Sequence, residues 1–110
     1  MGIDYQAHRA SVDTSKGFRQ FQKADNELYK NNIDSAVRHL NKGLNYFQTA
    51  MDHLAKAEED AYNKAGKEID QGNSELQKSI DELGNGNVDS AQAHYDRALA
   101  KYDDALDLIG

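Results

Sequence analysis

From Ile33 onward the large apolar side chains recur as Ile33, Val37, Leu40, Leu44, Phe47, Met51 and Leu54, in alternating steps of four and three. That is the heptad rhythm of helices in an antiparallel bundle or coiled coil. The rhythm returns over residues 88–109 as Val88, Tyr95, Leu99, Tyr102, Leu106 and Ile109, with Gln92 the one polar member. No strand-like alternation competes, so the pattern predicts an all-α chain. Helices are expected near 4–30, from 33 onward, up to 83, and over 88–108.

The two segments are copies offset by 55. Asn32-Ile-Asp-Ser-Ala36 falls on Asn87-Val-Asp-Ser-Ala91, His39 on His94, Leu44 on Leu99, Ala50 on Ala105 and Asp52 on Asp107; eight of the 23 positions from 32 to 54 are identical. Earlier residues follow more weakly, Gly17 on Gly72, Phe21 on Leu76 and Leu28 on Leu83. One domain over 1–110 is therefore read as two tandem helical hairpins, 1–55 and 56–110. Each has a turn, Leu28-Tyr-Lys-Asn-Asn-Ile-Asp34 or Leu83-Gly-Asn-Gly-Asn-Val-Asp89. There Asn or Gly can end one helix in the left-handed conformation, and Asn or Asp can cap the next.

Between the hairpins, Leu54-Ala-Lys-Ala-Glu-Glu-Asp-Ala-Tyr62 holds only helix-compatible residues. The seam runs on through Glu58, Ala61, Ala65, Ile69, Gly72, Leu76, Ser79 and Leu83 with one four-residue stutter. Two architectures satisfy this. One is a monomeric up-down-up-down four-helix bundle that breaks at Asn63 to Gly66. The other is three helices with a long central one, about 33–83 and roughly 75 Å long, that must dimerise to cover its apolar stripe. Beside the seam runs a line of small residues every seven positions: Ala36, Gly43, Ala50 and Ala57, then Ala91, Ala98 and Ala105. Such a line lets a neighbouring helix approach to the short end of the usual ~8–10 Å separation.

Composition sharpens this picture. Leu, Ile, Val and Phe make up only 20 of 110 residues and alanine another 14, so a core depends on periodicity rather than on bulk. With no cysteine, disulfide scaffolds, thiolate metal sites and cysteine nucleophiles are excluded. No apolar run reaches the ~18 residues of a membrane span, and Met1-Gly-Ile-Asp lacks the features of a secretion signal. A soluble chain is expected, with the cytoplasm favoured over processing after export. Residues 1–55 carry seven basic and six acidic side chains and residues 56–110 six and thirteen. The acidic half would repel phosphate backbones, so no nucleic-acid partner is expected.

Candidate chemistry is sparse. His39, His53 and His94 each have Lys42, Lys56 or Arg97 three residues on, which opposes cation binding, and each falls one residue before a core position, at the outer flank. The least unfavourable metal ligands are Asp4 with His8, and the cluster Asp103, Asp104 and Asp107. Arg9, Lys16, Lys23 and Lys30 form a basic line on the first helix; Asp89, Asp96 and Asp103 form an acidic one on the last. Glu58 is the one carboxylate on the seam read from residue 33. The six tyrosines are expected at bundle edges with hydroxyls in water. No phosphate loop, nucleophile elbow or H-E-x-x-H pair is present, so neither a catalytic site nor a cofactor is expected.

Asn87-Val-Asp-Ser-Ala-Gln-Ala93 resembles the start of the last helix of cytochrome b562-type bundles. The haem of that family implies a methionine near the start and a histidine late in the final helix, and here only Met1 and nothing after His94 offer them. Gly86-x-Val88-x-x-Ala91-x-x-x-Tyr95-x-x-Ala98-Leu99 resembles the second half of a tetratricopeptide motif, and Asn31-x-Ile33-x-x-Ala36-x-x-x-Leu40-x-x-Gly43-Leu44 is a degraded version of it. That resemblance implies helical hairpins binding a partner peptide in a concave groove. The period of 55 instead of 34 and the absence of proline depart from the motif. The expected function is a non-catalytic module for self-association, as a homodimer, or for binding another protein; a small metal- or ligand-binding bundle is the alternative.

Overall fold

Helix α1 (Tyr5–Tyr29) stops where the backbone turns left-handed at Asn31, φ 65°. The Asn32 amide then donates back to the Glu27 carbonyl at 2.8 Å and the Asn31 amide to Leu28 at 2.9 Å, the paired bonds of a Schellman turn. Fifty-five residues on, Gly86 at φ 83° ends α3 (Asp60–Gly84) with the same two bonds, Asn87 to Glu82 and Gly86 to Leu83. Asn32 and Asn87 do not cap the next helix with their side chains as expected. Each side-chain amide instead donates to a glutamate of the preceding helix, Glu27 or Glu82, at 2.8 Å. The turns lead into α2 (Ile33–Ala55) and α4 (Val88–Ile109). The computed structural model describes residues 5–109, and within them the four helices run up, down, up, down.

The long central helix is not formed. Residues 56–59 separate α2 from α3, and the molecule is 48 Å long by 19 Å by 17 Å, too short for a rod of ~75 Å. The break precedes Asn63 to Gly66, and both of those residues serve it from inside α3. In the orientation that satisfies both ends of its amide, Asn63 Nδ2 donates to the carbonyls of Leu54 at 3.0 Å and Ala57 at 3.2 Å, closing the exposed end of α2. Gly66 lets α3 pass close to Leu54, where a Cβ would stand 3.4 Å from the leucine's own. Charge favours the same break: Lys56 lies at the negative end of α2, and Glu58, Glu59 and Asp60 gather at the positive start of α3. Seam residue Glu58 is accordingly exposed in the turn.

Helix α1 packs on α2, α2 on α3 and α3 on α4, whereas α1 and α4 meet mainly through aromatic side chains. A single chain thus builds the four-helix cross-section for which the long-helix alternative needed two. On α3 the seam residues Ala65, Ile69, Gly72, Leu76, Ser79 and Leu83 are all buried. The hairpins press face to face, with the Phe47 and Tyr102 rings stacked 3.8 Å apart.

Candidate functional site

The middle of the bundle is filled by its own rings. Phe18, Phe21, Phe47, Tyr95 and Tyr102 make a continuous set of stacked and edge-on contacts with centroids 3.8–6.4 Å apart. Three glycines make room for them. A Cβ at Gly17 would lie 2.5 Å from Phe47, at Gly43 2.3 Å from Phe21, and at Gly72 2.6 Å from Tyr102. Gly17 with Phe47 and Gly72 with Tyr102 are the same pairing 55 residues apart. Tyr102 departs from the expected wet edge position: it is fully buried, and its hydroxyl donates to Asn73 Oδ1 at 2.7 Å. Burial pushes its phenol well above the ordinary value, so it stays a donor.

The small-residue line lies inside. Ala36, Ala50, Ala98 and Ala105 are inaccessible, Ala91 and Ala57 nearly so, and Gly43 is buried against α1. The polar candidates lie elsewhere. Asp103, Asp104 and Asp107 are exposed on α4 and His8 on α1, while Asp4 falls outside the described residues. Among the described residues no three His, Asp or Glu side chains converge to hold a metal ion.

The other histidines bridge helices within each hairpin, a role their flank positions did not reveal. His39 Nδ1 meets Gln20 Oε1 at 2.8 Å, and His94 Nδ1 meets Glu75 Oε2 at 2.7 Å, again 55 positions apart. The His94 bond, ahead of the partial burial that opposes it, holds the Glu75 carboxyl below its usual range. His53 Nδ1 meets Gln6 Oε1 at 2.7 Å, and its Nε2 lies 3.7 Å from the buried Asp13 carboxylate. These contacts tie helices together.

A different residue faces an opening. Beside the Asn31 and Gly86 turns, a cleft lined by Asp25, Leu28, Leu40, Leu83, Val88 and Tyr95 draws on all four helices, with Ser79 at its floor. Its space is about 20 Å³, room for a single water-sized group. Asp25 continues the apolar spacing of α1, Phe18, Phe21, Asp25, Leu28, and the position 55 residues on is the buried Ile80. A carboxylate on an apolar seam was the sequence signal for this site. Asp25 is exposed to solvent; desolvation on its inner side raises its carboxyl above the ordinary value, and among the described residues it has neither a hydrogen bond nor an ion pair. Around the cleft Val88 is 52% exposed and Tyr29, the last residue of α1, 94%. A second groove of about 440 Å³ runs between α2 and α3 past Met51, Ala55, Gly66 and Lys67, open and without a buried polar group.

No family model matches the chain, and no curated protein or solved structure matches it either. No helix among the described residues is long and apolar enough to cross a membrane.

Proposed function

We propose that this chain is a non-catalytic helical-bundle module, one domain made of two like hairpins, that binds a partner protein at the end carrying the Asn31 and Gly86 turns. The observation that carries the reading is Asp25. A carboxylate occupies a seam position whose counterpart in the second hairpin is the core residue Ile80, it is exposed and without a hydrogen bond or ion pair among the described residues, and exposed Tyr29 and Val88 stand beside it. Apolar side chains rimmed by charge suit a protein interface. The interior supports binding at the surface, since the ring cluster and its glycine slots occupy the place where a bundle would hold a cofactor.

Site-specific photo-crosslinking in the source cell tests the reading. A benzophenone side chain at Tyr29 should yield a discrete crosslinked protein, and the same group at Val12, near the other end of α1, should not. Equal crosslinking from both positions, or none from Tyr29, would overturn it.

A further inference from the structure

The break between the hairpins is built unlike the turns within them. Those turns pass through left-handed residues, Asn31 at φ 65° and Gly86 at φ 83°, and among the described residues no others have a positive φ. A left-handed residue stops a right-handed helix; at 56–59 there is none. Lys56 already lies in the right-handed region at φ −90°, ψ −6°, while Glu59 is extended at φ −81°, ψ 136°. Half a revolution in ψ brings Glu59 to helical values, and every residue from 54 to 62 is helix-compatible. The folded-back form is clasped by the Asn63 amide on the Leu54 and Ala57 carbonyls. In an unbroken helix the backbone amides of Glu58 and Ala61 take those same carbonyls, and Lys56 comes to lie one turn from Asp60.

The contacts that join the hairpins do not require one chain. Phe47 of the first stacks on Tyr102 of the second, and α2 packs on α3; each contact forms equally well between copies. We infer that a second copy of this chain binds by exchanging hairpins: residues 56–59 straighten, α2 and α3 join into one helix, and the α1–α2 hairpin of each copy packs on α3 and α4 of the other. The joined helices cross at their middles. There Leu54, Ala57, Ala61 and Ala65 fall on one face, and three small side chains let the two backbones approach. The exchange goes beyond the partner reading and does not depend on it, because the break lies at the end of the bundle opposite the Asn31 and Gly86 turns.

The test uses the full chain, refolded from urea at about millimolar concentration because the hairpins must separate before they can exchange. Light scattering should then find a species of twice the chain mass that persists on dilution. Spin labels at Asn41→Cys and Gln77→Cys, both exposed sites in a chain without cysteine, identify its form when labelled chains are refolded in excess unlabelled chain. In the monomer the pair sits on adjoining helices of a bundle 19 Å by 17 Å across; in the exchanged dimer it is separated along one helix by about 54 Å. Asp60→Pro discriminates further. Proline suits the first position of α3, after an extended Glu59, but breaks the interior of a joined helix. It should leave the monomer folded and reduce the dimer at least tenfold, whereas Asp60→Ala, which removes the same charge, should dimerise as readily as the wild type. Monomer alone after concentrated refolding, a dimer whose diluted labels keep the short distance, or equal dimer from Asp60→Pro overturns the inference. None of these results alters the crosslinking expected from Tyr29.

Discussion

The Tyr102 ring lies 3.8 Å from the Phe47 ring and packs against Gly72 so closely that no Cβ fits between them. Each hairpin thus sinks an aromatic of its second helix into a glycine notch on its first, and the two aromatics stack where the hairpins join. Gly72→Ala should therefore overpack the centre. The cost is about 1–3 kcal/mol, less the ~0.5–1 kcal/mol by which alanine favours a helix interior. A fall of several degrees in melting temperature is expected, at ~4–8 °C per kcal/mol for a chain of this size, and Gly17→Ala should behave alike. Gly84, with nothing within 4 Å of a Cβ, is the control: Gly84→Ala should hold or raise the melting temperature.

Much of this architecture was legible from spacing alone, because a heptad seam and its copy can be read without knowing what packs on what. The helix ends, the left-handed positions and the buried α3 face all follow from local chemistry. The break at 56–59 was harder. It contains no glycine or proline, and its causes are a side chain arriving from the next helix, Asn63, and a charge reversal from Lys56 to Glu58-Glu59-Asp60 that marks a helix end and a helix start. Asn63→Ala should lower the melting temperature by leaving the Leu54 and Ala57 carbonyls without their shared donor. If the chain stays folded back, light scattering on that variant should match the wild type; a larger particle would mean that the 33–83 helix had formed and recruited a second copy.

Tyr102 also shows what spacing hides. Periodicity placed it on the seam, but only the fold shows its hydroxyl sealed against Asn73, whose Nδ2 is itself buried without a partner. Tyr102→Phe removes the one donor to that amide and should cost about 1–3 kcal/mol in urea unfolding, the scale of orphaning a buried polar group. Adding Asn73→Leu should recover most of the loss, since an apolar pair needs no hydrogen bond. A double variant no more stable than Tyr102→Phe would mean that the ring's position, rather than the bond, carries the energy.

The small-residue line makes a prediction of the same kind. Ala50 and Ala98 are inaccessible and Ala100 is exposed. Ala50→Leu or Ala98→Leu should then lower the melting temperature by considerably more than Ala100→Leu, because a larger side chain at either buried site separates two helices. Equal effects would mean that these alanines serve helix propensity alone.

Acid titration should separate the two displaced carboxyls, which respond with opposite signs. Glu75 is held below its usual value, chiefly by the His94 hydrogen bond. It therefore contributes stability at pH above about 4.5, and that contribution is lost as the pH falls through the lowered value. Glu75→Gln keeps an acceptor for His94, as Gln20 does for His39, and gives up only the charge assistance of a partly exposed pair. Its melting temperature at pH 7 should drop by about 1–3 °C, and the gap should close as the wild type acidifies. Asp25, pushed up by burial, weakens the fold while ionised, and that penalty fades as the pH drops through the raised value and is gone below about 3.8. Asp25→Asn should therefore melt higher than the wild type at pH 7, and the advantage should vanish near pH 3.5.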